Sequence, residues 1–138
     1  MTENIRNLWP ASAIQVDILT PEAILLAQAS LLEKSTKGLL RAEVTSDTAV
    51  NGLFLLHLDI IAPILNHQRH RLITVSRKPD DVYPVHIEHK GTAYSQEDFE
   101  RLVAEVLQSS QTTSTLESLI ARSKERARRL SSAASVRG

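Results

Sequence analysis

His86, Glu88 and His89 fall within the run Val85-His86-Ile87-Glu88-His89. On an extended strand, residues two apart share a face, so His86 and Glu88 would lie side by side with His89 at the strand end. Two imidazoles and a carboxylate are groups that a divalent metal accepts. The spacing is not that of a helical zinc motif and implies no fourth ligand, so no metal and no cofactor is assigned. His57 and Asp59 alternate on another strand and would also share a face, two members of an acid–base arrangement. No nucleophile accompanies them. There is no cysteine, and no serine or threonine sits between the glycines of a nucleophile elbow. Four glycines scattered singly make no phosphate-cradling loop. We therefore assign no catalytic residue and expect a protein without catalytic activity.

Cations form two further groups. His67, Arg69, His70 and Arg71 cluster where a third strand would begin, with Arg77 and Lys78 at its far end. The run Arg122-Ser-Lys124-Glu-Arg126-Ala-Arg128-Arg129 lies near the C-terminus, and on a helix Arg122, Arg126 and Arg129 share one face. Arg69, His70, Arg71, Arg122, Arg126 and Arg129 are thus the candidates for contact with nucleic acid, through phosphate and without sequence preference. No aromatic residue interleaves with them to stack on bases. Net charge is zero over 138 residues but unevenly spread. Up to Gln111 there are ten Lys or Arg against fourteen Asp or Glu, and beyond it six against two. Such asymmetry suits a basic end that meets an acidic surface, whether nucleic acid, another protein or the chain's own body.

What must position these residues is visible in the hydrophobic period. From Thr20 to Gly38 apolar residues recur at helical spacing, from Leu39 to about Glu88 they mostly alternate, and from Ser95 the helical spacing returns. The first helix has Thr20 as N-cap, Pro21 at its first position, Glu22 at its positive end and Lys37-Gly38 at its close. Its apolar stripe is Ile24, Leu25, Leu31 and Leu32, with Gln28 set among them. Ser95 with Asp98, and Ser114 with Glu117, resemble capping boxes for two later helices, separated by a polar break over 109–113. Phe99, Leu102, Val103, Val106 and Leu107 form the stripe of the first of these. The result is an α+β domain in the order α-β-β-β-β-α-α: an antiparallel four-stranded sheet with helices packed on one face.

The central hairpin carries the most information. Asn51-Gly52 is a strong turn signal. A strict two-residue turn would set Glu43 opposite Ile60 and Thr45 opposite Leu58, mixing polar and apolar residues on one face. Shifting the register by one aligns Leu40, Ala42 and Val44 with Phe54, Leu56, Leu58 and Ile60, so a bulge or an odd-length loop is expected there. The other face of the second strand then carries Leu53, Leu55, His57, Asp59 and Ile61, with Arg41 and Glu43 beside it. A strand apolar on both sides is usually covered on both. In a chain this short the helices cover only one side well, so Leu53, Leu55, His57, Asp59, Arg41 and Glu43 are candidates for an interface with a protein partner or a second copy. Pro63 ends this strand, and Pro84 makes the start of a fourth, over 82–88, irregular.

Three segments follow. Residues 1–19 form an N-terminal arm or short extended segment in which Ile14, Val16 and Ile18 alternate and which holds the only Trp, at position 9. Residues 20–121 form the single domain. Residues 122–138 form a basic helical extension ending in a tail, from 131, of a composition suited to disorder. Apolar runs are far too short to cross a bilayer, and no signal peptide opens the chain, so no membrane contact and a cytoplasmic location are expected. The order helix–strand–strand–strand–helix resembles that of double-stranded-RNA-binding domains. That family's second helix opens with a lysine cluster, however, where this chain has Ser95-Gln96-Glu97-Asp98, and the resemblance ends at element order. The expected function is a small binding module, of a bacterial regulatory, adaptor or immunity type, acting through protein contacts on the second sheet face or the C-terminal helices. Nucleic-acid association through the basic residues is the alternative, and a small metal-dependent or hydrolytic enzyme is a third.

Overall fold

The computed structural model describes residues 5–14 and 16–137, with side chains over 5–13 and 16–132. A short helix α1 (Ala11–Ile14) lies in the arm, followed by α2 (Pro21–Ser35). Five strands come next: β1 (Arg41–Thr48), β2 (Phe54–Ala62), β3 (Gln68–Arg77), β4 (Val85–Ile87) and β5 (Gly91–Ala93). Helices α3 (Gln96–Leu107) and α4 (Ser110–Arg137) complete the chain. The strands form one antiparallel meander in the order β1-β2-β3-β4-β5.

The expected α+β class with an antiparallel sheet is present, but the sheet has five strands, not four. The extra strand is β5, where the sequence suggested only a turn. Three residues leave no room for an alternating pattern, and Gly91 hides the signal further. Its Ala93 is nevertheless fully buried against the core.

Local chemistry accounts for the helix starts. The Thr20 hydroxyl accepts from the Ala23 N–H at 3.1 Å, with Pro21 behind it. Ser95 accepts from the Asp98 N–H at 3.2 Å, as its capping pattern suggested. Helix α4 starts earlier than Ser114 because Ser109 takes the cap, accepting from the Thr112 N–H at 3.2 Å. It runs to Arg137 through the Ser- and Ala-rich stretch.

The β1–β2 register is the shifted one. Val44 faces Leu58 and Glu43 faces Asp59, across an odd-length connection closed by Ala49 N–H to Leu53 C=O at 2.8 Å. Between Leu58 and Asp59 the β2–β3 register slips again, leaving Leu72 as an extra residue on β3. Pro63 ends β2 and opens a single 3₁₀ turn.

The core lies on one side of the sheet. Leu56, Leu58, Ile73, Val75, Val85, Ile87 and Ala93 meet Ile24, Leu25 and Ala29 of α2 and Phe99, Leu102 and Val103 of α3. A second cluster joins Leu40, Ile60 and Ala62 to Leu119 of α4. Leu72 packs against both. Leu31, expected in the α2 stripe, is instead 52% exposed.

Candidate functional site

The alternate residues of β1, β2 and β3 point away from both core clusters and form a flat lattice. Its rows follow from the register: Asp47–Leu55–Ser76, Thr45–His57–Thr74, Glu43–Asp59–Arg71 and Arg41–Ile61–Arg69. Four of the six expected interface residues (Leu55, His57, Asp59 and Glu43) thus meet in three adjacent rows, with Arg41 in the next. Leu53 falls outside β2, in a groove with Arg77, Lys78, Pro84 and His86.

Asp59 is the centre of this face and is fully buried, at 0% exposure. Glu43 stands directly opposite, and like charges in that position repel. Two arginines offset this. Arg69 donates from Nη1 to Asp59 Oδ2 at 2.9 Å and from Nη2 to Glu43 Oε2 at 3.1 Å, spanning the two carboxylates. Arg71 donates from Nε to Asp59 Oδ1 at 2.9 Å and from Nη2 to Oδ2 at 3.4 Å. Burial pushes the Asp59 carboxyl up, but hydrogen bonds and charge from Arg71 and Arg69 outweigh it, and the group is held below its ordinary value. Both arginine side chains stay about half exposed, so they are fixed in position yet reachable from outside.

Around this network the lattice is less polar. Leu55 is half-buried, and so is His57, whose Nδ1 lies 3.1 Å from Thr74 Oγ1. Ile61 is buried between Arg41 and Arg69 in the ladder. Asp59 is engaged by arginines and does not orient His57, so the two do not make the acid–base pair that their spacing suggested.

The nucleic-acid candidates divide into three places. Arg69 and Arg71 lie in the carboxylate network. His70 points to the opposite side, across from Ile60, and its Nε2 lies 2.9 Å from Gln68 Nε2. Gln68 in turn accepts from Arg122 at 2.9 Å, so His70 and Arg122 are joined through one amide. Arg126 and Arg129 lie further along α4, where Arg128 and Arg129 share Glu125 at 3.2 Å each. His86 is on β4, and Glu88 and His89 sit in the turn to β5 with their side chains 3.5 Å apart. Among the described residues no three His, Asp or Glu side chains gather as metal ligands.

The sequence did not disclose one other feature. An apolar cleft of about 230 Å³ opens between α2 and the α3–α4 corner, reaching the sheet at Leu58 and Ile60. Its walls include Leu31, Leu32, Leu72, Leu107 and Leu116, with Gln28, Ser35 and Thr112 as the polar members. Gln28 was the visible signal: a polar residue inside an apolar stripe marks a wall that is not sealed.

Among the described residues, no helix is long and apolar enough to cross a membrane. No family model, no curated protein and no solved structure matches this chain.

Proposed function

We propose that the protein is a non-catalytic binding module that meets a protein partner through the uncovered face of β1–β3. The observation that carries this reading is the fully buried Asp59 beneath Arg69 and Arg71. Arginine loses much side-chain freedom when it binds a partner, and here much of that loss has been met on folding. Two fixed, half-exposed arginine side chains beside Leu55 and His57 have the mixed composition of a protein interface, which is rich in arginine at its energetic centre. A regulatory, adaptor or immunity-type role is consistent with a small module of this kind.

The test is capture of a partner on the immobilised chain from its native cell extract. Wild type is compared with Leu55→Arg and with Arg71→Ala, each verified as folded. A protein held by wild type and lost from both variants supports the reading. Equal retention by all three proteins refutes it.

One observation favours nucleic acid as a second reading: the Arg122–Gln68–His70 chain ties the basic helix to the start of β3. That reading requires steeply salt-dependent retention on heparin, lost in an Arg126→Glu, Arg129→Glu double variant.

A further inference from the structure

The arm holds six of the thirteen large apolar residues that are exposed among the described residues. Ile5, Leu8, Trp9, Val16, Ile18 and Leu19 are all large, apolar and exposed, Leu8 at 85% and Trp9 at 76%. Among the described residues, the hydrogen bonds that tie the arm to the body lie at its root, where Leu19 N–H donates to Gln96 Oε1 at 2.9 Å and the Tyr83 hydroxyl donates to Leu19 C=O at 2.9 Å. Nothing among the described residues covers Trp9, which sits beyond that anchor. A buried Trp ring satisfies its hydrophobic surface and places its N–H on an acceptor, and neither is achieved here.

The cleft between α2 and the α3–α4 corner has the complementary need. It is walled by leucines and contains Gln28, half-buried, whose amide takes part in no hydrogen bond among the described residues. An apolar cavity of about 150 Å³ takes up a benzene ring, so one of about 230 Å³ has room for an indole. Leu31, half-exposed at the cleft wall, extends the apolar surface outward.

We propose that two copies exchange arms, Trp9 of each entering the cleft of the other with its indole N–H donated to Gln28. The ten residues from the Leu19 anchor to Trp9 give the ring a reach of about 25 Å with α1 kept helical. Area is adequate as well. A docked aromatic ring buries about 200 Å². Counting the matching cleft surface, two exchanged rings remove about 800 Å², and Ile5 and Leu8 beside each ring, both exposed in the arm, bring the total toward the lower end of the range of about 1,200–2,000 Å² that stable complexes use. This surface is separate from the β1–β3 face and stands or falls independently of it.

Trp9 is the only tryptophan, so its emission reports its own environment. The experiment follows emission wavelength and mass by light scattering over a concentration series of wild type, Trp9→Ala and Leu31→Arg. Both substituted side chains are exposed, so folding is retained. The expected result is a wild-type dimer whose emission shifts to the blue as it forms. Both variants become monomers, and Leu31→Arg keeps the red emission of a solvated ring. Three results overturn the proposal: red emission with a monomer at every concentration, a dimer that survives Trp9→Ala, or blue emission independent of concentration, which would place the arm in its own cleft.

Discussion

Asp59 faces Arg71 because β3 holds one more residue than β2 at this point. Above the slip, Leu58 pairs with Ile73; below it, Asp59 pairs with Arg71 and Leu72 is passed over. An unbroken ladder would set Leu72 opposite Asp59 on the open face and Arg71 opposite Ile60 in the core. Because side chains alternate, one inserted residue exchanges the two faces. The bulge therefore does two things at once: it keeps a guanidinium out of the apolar core and supplies a buried carboxylate with its counter-charge.

Deletion of Leu72 should spare the pairing that the bulge creates. It removes the passed-over residue, so Ile73 still meets Leu58 and Arg71 still meets Asp59, now in an unbroken ladder. What is lost is the packing of a half-buried leucine against both core clusters, so a drop of no more than about 3 kcal/mol is expected by urea denaturation, close to that of Leu72→Ala. Loss of cooperative unfolding in the deletion alone would show that the bulge itself, and not only the side chain of Leu72, shapes β3.

Stability should depend on acid pH through Asp59. Its folded pKa lies below its ordinary value, so the folded state binds the proton less readily than the unfolded chain does. The contribution is complete above the unfolded value of about 3.9 and is lost as pH falls through the lower, folded value. Urea midpoints should therefore fall for wild type as pH drops below about 4. Asp59→Asn should be weaker at neutral pH, by about 1–3 kcal/mol for the lost charge-assisted bonds, and should show a flatter dependence below pH 4. A parallel decline in both proteins would assign the acid sensitivity to other carboxylates.

Much of this architecture is legible from residue order, and the reasons it fails elsewhere are physical. Thr20, Pro21 and Ser95 declare helix starts because capping is local chemistry. The one-residue shift of the β1–β2 hairpin follows from keeping Val44 and Leu58 on one face. Asp59 could not be recognised as a buried anchor, since its partners lie 10 and 12 residues away and come opposite it only through the Leu72 bulge. Arg69 and Arg71 looked like free phosphate ligands for the same reason. The cleft was equally hidden. Gln28 marked it, but the gap depends on how far α2 stands from α4, a distance that no local pattern encodes.

Docking of α4 should rest on Leu119. This residue is 1% exposed and belongs to the cluster with Leu40, Ile60 and Ala62. Leu119→Ala should cost about 2–5 kcal/mol as a core truncation. Amide exchange should also accelerate along α4 more than along α3, whose Phe99, Leu102 and Val103 belong to the other cluster. Uniform acceleration would show that the two clusters unfold as one unit.

Two hydroxyls on the buried side of α4 should respond in opposite directions. Thr112 is buried and fully used: its Oγ1 donates to Val106 C=O at 2.8 Å and accepts from Ser109 Oγ at 3.1 Å. Ser123 is fully buried, and its Oγ has no partner. An unpaired buried hydroxyl costs about 1–3 kcal/mol by comparison with mutational data. Ser123→Ala removes that penalty, adds helix propensity and leaves a packed methyl group, so a gain of about 1 kcal/mol is expected. Thr112→Val preserves shape but removes the bond to the Val106 carbonyl, which keeps the Ser109 N–H at 3.2 Å, and leaves the Ser109 hydroxyl without its acceptor, so a loss of about 1 kcal/mol is expected. Both are read from urea midpoints at neutral pH. Destabilisation by Ser123→Ala would mean that the hydroxyl finds an acceptor in solution, the nearest being a carbonyl of the preceding helical turn.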